Sequence, residues 1–134
     1  MYRSFFFPID PAVGPKVDAV QYFSPTSINI TWGKIDQWNG IPKGYVIYYR
    51  LISLGEQHVI REEKEISFLD PAKNWFVISG LEVYSIYEIS VAGQTGYGVG
   101  KKSNPIAAGK LFLILHIYDA KFVQTTSYFA CIIK

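Results

Sequence analysis

The sequence predicts an all-β fold, an antiparallel β-sandwich, on three observations. Short runs rich in β-branched and aromatic residues are separated by turn residues roughly every 8–12 positions. Two of these runs alternate with the strand period: Ile28, Ile30 and Trp32 face away from Asn29 and Thr31, and Tyr87, Ile89 and Val91 share a face further on. No segment repeats at helical spacing, and a chain that is 49% hydrophobic and 16% aromatic has the apolar material for a buried core.

Seven strands follow in order. Residues 1–14 carry Pro8, Pro11 and Gly14 without periodicity and are expected to be a linker. Val17 to Phe23 forms the first strand and stops at Ser24-Pro25. Ser27 to Lys34 forms the second, and a polar loop through Asp36, Asn39-Gly40 and Pro42 follows it. Gly44 to Ser53, containing Tyr45-Val46-Ile47-Tyr48-Tyr49-Arg50, is apolar on both faces and suits a central strand. Gln57 to Glu65 is a weaker strand ending in the charge run Arg61-Glu62-Glu63-Lys64-Glu65, a solvated surface that would blunt a sheet edge. Asn74 to Ile78 and Ser85 to Gly93 come next. The last strand runs from about Lys102 to Gly109, where Pro105 confines it to an edge or a bulge. The expected core is Ile28, Ile30, Trp32, Tyr45, Ile47, Tyr49, Phe76, Ile78, Leu81, Ile89 and Val91.

Composition narrows the function classes. Thirteen basic and eleven acidic residues in 134 leave a charge of +2, too little to point to nucleic acid or an acidic membrane surface. The lone cysteine, Cys131, allows neither an intradomain disulfide nor a cysteine-rich metal site. The first residues lack the apolar stretch and the small-residue cleavage site of a secretory signal. The chain is therefore expected to be either intracellular or a piece of something longer.

Within the sandwich class the residues become specific. Pro25-Thr26-Ser27-Ile28-Asn29-Ile30-Thr31-Trp32 resembles strand B of a fibronectin type III domain, an immunoglobulin-like sandwich. Pro15 stands where such domains place their opening proline, and Gly44 to Arg50 resembles the family's tyrosine-rich strand C. Leu81-Glu82-Val83-Tyr84-Ser85-Ile86-Tyr87 resembles its E–F corner, with Val83 where many relatives have proline. Ala92 through Gly96-Tyr97-Gly98 to Pro105 resembles the F–G hairpin and the start of strand G. The resemblance covers residues 15–110. It implies that Tyr87 is the tyrosine corner, with its hydroxyl bonded to upstream backbone, and that Trp32, Tyr45, Tyr49 and Leu81 are structural core. An immunoglobulin domain proper would pair two cysteines, which this sequence does not have.

Catalytic constellations are scarce, and no enzyme activity, cofactor, metal or small-molecule substrate is expected. His58 and His116 stand apart from any ligand set. No Gly-x-Ser-x-Gly occurs. Gly96-Tyr97-Gly98-Val99-Gly100-Lys101-Lys102-Ser103 has the wrong glycine spacing for a phosphate loop, and strand rather than helix is expected after it. Asn29-Ile30-Thr31 is an N-glycosylation triplet with Asn29 on the outward face.

Recognition is the better candidate. The resemblance places the B–C and F–G loops at one end of the sandwich, presenting Asp36, Gln37, Trp38 and Asn39 beside Gln94, Thr95 and Tyr97. Against this stands the plainer alternative that Trp38 folds over the core and Tyr97 shields the hairpin. The outward residues Val46, Tyr48 and Arg50 offer a second surface. The family implies other proteins and the neighbouring domains of a longer chain as partners, at a cell surface or outside the cell. An intracellular spacer and an accessory domain of a receptor phosphatase or glycosidase remain open beside it. Residues 111–134 do not fit the family. Leu111 to Tyr118 is too short to span a membrane, which takes about 20 apolar residues. An extension of the last strand, a segment packed on the sandwich and an artefact of where the chain is cut all fit it.

Overall fold

A computed structural model describes residues 14–109. Apart from Gly14, the expected linker lies outside those residues, as do Lys110, the apolar tail, His116 and Cys131. The strands are β1 (Val17–Ser24), β2 (Ser27–Trp32), β3 (Pro42–Leu54), β4 (Gln57–His58), β5 (Lys64–Phe68), β6 (Trp75–Ile78), β7 (Ser85–Thr95) and β8 (Ile106–Gly109). They form two antiparallel sheets: β1-β2-β6, and β4-β3-β7-β8 with β5 also paired to β3.

Alternation drives the packing. Ile28, Ile30 and Trp32 of β2 turn inward opposite Ile78 and Phe76 of β6. They meet Tyr45, Ile47 and Leu51 of β3 and Tyr87, Ile89 and Val91 of β7 across the sandwich. Trp32 and Ile30 are completely buried. Tyr49 and Phe76 differ from the expectation, because they are only partly buried against this core. Leu51 and Ala108 take full core positions that the sequence reading left unassigned.

The expected strand Gln57–Glu65 is two strands, for a register reason. Ser53 pairs with His58, and continuing that ladder would set Tyr49 opposite Glu62; instead Tyr49 pairs with Lys64. The two residues of slippage force residues 59–63 out of the ladder, while the Val59 and Arg61 amides still reach the Ile52 and Leu51 carbonyls. The last strand is shorter than expected. Pro105 has no N–H to donate, so β8 starts after it. Ahead of it Ser103 still bonds to Val91, through its backbone N–H and through its hydroxyl.

The first strand starts at one end of the sandwich and the last strand finishes at the other. Val17 lies opposite Trp32, beside the loop 33–41, whereas Gly109 lies opposite Ile86 at the start of β7. The first end, called the loop end here, carries residues 33–41, 69–74 and 96–105. The second, the corner end, carries the β1–β2 turn and residues 79–84.

Candidate recognition surface

Pairing of Pro42 with Thr95 and Gly44 with Gln94 sets the start of β3 beside the end of β7, which brings loops 33–41 and 96–105 together. Lys43 reaches across, its Cε only 3.6 Å from the space a Cβ on Gly96 would fill. On the other side β5 presses against β3. A Cβ at Gly44 would stand 1.9 Å from the Phe68 carbonyl oxygen, so only glycine admits the approach that brings Leu69 to the same end.

The sequence-chosen loop residues separate into different roles. Trp38 is half-buried, packed on the core with its ring 5.5 Å from Tyr45 in an edge-to-face arrangement. Asn39 is exposed and holds a positive φ of 56°, a conformation asparagine tolerates better than most residues. Gln94 accepts a hydrogen bond from Ser67 across 3.2 Å, fixing its side chain on the sheet. Thr95 is only 3% exposed. Its hydroxyl oxygen accepts from the Tyr97 N–H and its own N–H donates to Gly98, so it shapes the turn beneath Tyr97. Tyr97 stands free at 71% exposure.

Sequence reading overlooked Ile41 and Leu69, which are 74% and 75% exposed at the same end. Their signal was faint: one apolar residue beside Pro42, and another between Phe68 and Asp70-Pro71. Isolated exposed apolar residues are ordinary on protein surfaces. Their convergence with Tyr97 at one end becomes visible only with the topology.

The second candidate surface, the outward face of β3, has a different character. Val46 does not belong to it, being 4% exposed between Ser67 and Ala92 on the flanking strands. Tyr48 lies under Lys102, whose ammonium sits 3.9 Å above the ring and 2.6 Å from a Glu63 carboxylate oxygen. Lys102 thus straps the face from the β8 side to the β5 side. Burial, with the Glu65 and Glu63 carboxylates added, raises the Tyr48 pKa against the opposing pull of Lys102. Burial also raises that of Tyr45. Arg50 pairs with Glu88 at 2.8 Å.

The corner end is closed by backbone contacts. The Glu82 N–H donates to the Tyr87 hydroxyl at 2.9 Å, and the Leu81 N–H to the Thr26 carbonyl at 2.9 Å. Tyr84 has a φ of 52°, and its carbonyl accepts from Gly55 at 2.7 Å. Glu82 also receives Arg61 at its carboxylate and the Ser85 hydroxyl at its carbonyl. Val83, where the family pattern has proline, is exposed.

With this architecture in view, the sequence matches the model of the fibronectin type III domain over residues 15–108. The chain belongs to the fibronectin type III family. Among curated relatives, this domain is 30% identical over 98 residues to mouse protein sidekick-1. It is 28% identical over 96 residues to mouse neural cell adhesion molecule L1, and 29% identical over 94 residues to Drosophila melanogaster contactin. The alignments take in 72%, 69% and 69% of this chain but only 4%, 8% and 7% of those proteins, so the chain spans under a tenth of their length.

Solved structures agree on the fold. The third fibronectin III domain of human KIAA0343 protein superposes with a TM-score of 0.64 at 26% identity, covering 75% of this chain and 83% of that one. The FN5 domain of Drosophila Lar gives 0.55 at 26% identity, covering 73% and 94%. Among the described residues of this fibronectin type III chain no three His, Cys, Asp or Glu side chains gather as a metal site, and no helix is long and apolar enough to cross a membrane.

Proposed function

We propose that this domain is a non-catalytic protein-binding and spacing module of a cell-surface adhesion or receptor chain, and that it binds through its loop end. One observation carries the reading: Ile41, Leu69 and Tyr97, the most exposed of the large apolar side chains described, project from three separate loops at that end. Exposed apolar and aromatic groups on a rigid scaffold are the usual anchors of protein contacts. Similarity to a neural cell adhesion molecule and to contactin supports the adhesion setting. The first and last strands of the domain begin and finish at opposite ends of the sandwich, with Val17 at one and Gly109 at the other. That supports spacing, because consecutive domains then extend in line rather than folding back. Trp38 and Thr95 support the loops from below, and Asn39 and Gln94 form the polar surround.

The test presents the full chain as a dimeric fusion to an array of purified cell-surface ectodomains, with the chain itself included. Saturable binding to at least one is expected, weakened about tenfold or more by Ile41→Ala with Tyr97→Ala. Ile60→Ala with Val83→Ala, away from the loop end, should leave it unchanged. Absence of saturable binding, or binding lost only with the second pair, would overturn the reading.

A further inference from the structure

The outward face of the three-stranded sheet has a composition of its own. Register places Asn29 between Gln21 and Val77, and Thr31 between Ala19 and Trp75. None of these six residues is charged. The face ends at β6, a four-residue edge strand with no further strand beside it among the described residues. Sheet edges are normally guarded by charge, proline or a covering segment, because open N–H and C=O groups invite pairing with another chain. Trp75, at the edge, is 45% exposed, with the Lys73 ammonium 4.1 Å above its ring.

In the middle of this face lies Asn29-Ile30-Thr31, the single N-glycosylation triplet of the whole sequence. The Asn29 carboxamide oxygen is buried and without a hydrogen-bond partner among the described residues. Its nitrogen donates to the exposed Gln21 Oε1 at 3.5 Å, the long limit of a hydrogen bond. The atom that accepts a sugar is thus engaged in one long, exposed contact, which a substituent there displaces.

We propose that Asn29 carries an N-linked glycan whose first sugars lie on the outward face of the three-stranded sheet, against Trp75. The proposal rests on the cell-surface reading, since the sugar is added in the secretory route. In that transfer Asn29 Nδ2 attacks the anomeric carbon of a polyprenyl-diphosphate-linked oligosaccharide. The N–C bond forms, the C–O bond to the diphosphate breaks with its electron pair leaving on the diphosphate, and one amide proton passes to a base of the transferase. Trp75 is the diagonal cross-strand neighbour of Asn29, a spacing of roughly 7–8 Å that large side chains bridge. Its half-open indole offers an apolar surface to the C–H face of a sugar. A hydrated glycan over this face does what charge does elsewhere, covering its uncharged middle and adding to Lys73 in keeping the open edge from pairing.

The experiment expresses the full chain behind a cleavable secretion leader in eukaryotic cells, so that occupancy is read whatever the natural location. Intact mass is measured before and after peptide-N-glycosidase treatment. The expected result is loss of one glycan mass with aspartate left at position 29 in the peptide map, and no glycan on Thr31→Ala. Secreted wild-type chain with unmodified Asn29 overturns the proposal, whether or not the variant is secreted. Nuclear Overhauser contacts from the first sugar's acetamido methyl to the Trp75 indole should be present and vanish in Trp75→Ala; an occupied Asn29 without them overturns the placement. Surface labelling of the natural chain in its own cells tests the location separately.

Discussion

The two ends of the sandwich are closed by different physics. At the loop end rings do the closing: Trp32 meets Tyr45 at 5.1 Å and Phe68 at 6.0 Å, Trp38 caps Tyr45, and Phe68 stacks on Phe76 at 5.2 Å. At the corner end the connection from β6 to β7 is tied by hydrogen bonds from Leu81, Glu82 and Gly55 and by the groups converging on Glu82. Burial of rings draws most of its energy from the area removed from water, which is non-directional, and only a smaller part from ring geometry. Loops above the rings are therefore freer to vary in backbone shape. Hydrogen-bonded closure fixes donors and acceptors one by one and leaves little freedom. The contrast gives a reason for recognition to reside above the rings.

The largest expected effect comes from breaking the aromatic end. Trp32 is fully buried between the sheets, so Trp32→Ala loses its transfer free energy and leaves a cavity among Tyr45, Phe68 and Ile30. The cost should be ~3–5 kcal/mol, a large share of a typical ~5–15 kcal/mol total. Urea unfolding followed by far-UV circular dichroism reads it as a lowered midpoint. An unchanged midpoint would mean that the rings do not hold this end.

The corner end should yield to a single atom. Tyr87→Phe keeps the ring in the core and removes only the hydroxyl that accepts from Glu82 N–H. An N–H left without a partner costs ~1–3 kcal/mol. Denaturation midpoints at constant slope measure the loss, and amide exchange at Glu82 should accelerate at the same time. A neutral substitution would show that water replaces the hydroxyl, and the contrast between the two ends would weaken.

Much of the fold was legible because it rests on local periodicity. The alternation through Ile28, Ile30 and Trp32 reports a buried face directly, and β-branched and aromatic density marks β3 and β7. What escaped depends on register or on distant neighbours. The break between β4 and β5 arises from two residues of slippage against β3, which residues 57–65 do not disclose. Val46 reads as outward by alternation, and outward it points, yet it is buried by its neighbours in the sheet. At the candidate surface, residue type singled out Trp38 and Tyr97 but left anchoring and packing both open, because type does not separate a ring that packs from one that projects. Ile41 and Leu69 are unremarkable in sequence because nothing local to either says that their loops reach the same end of the sandwich.

The smallest expected effect sharpens the comparison within the loop end itself. Trp38 and Tyr97 come from adjacent loops, yet one lies on the core and the other stands in solvent. Trp38→Ala should cost at least the ~0.5–1.5 kcal/mol of an edge-to-face pair beyond the area it buries. Tyr97→Ala should fall within about 0.5 kcal/mol of the parent, as surface substitutions do. Thermal melts of the two variants against the parent separate these outcomes. Equal losses would make Tyr97 part of the cap over Tyr45 and leave Ile41 and Leu69 as the loop end's exposed anchors. A lowered melting temperature for Trp38→Ala alone assigns closure to one ring and leaves the other free for a partner, which is the division of labour that a binding loop above an aromatic lid requires.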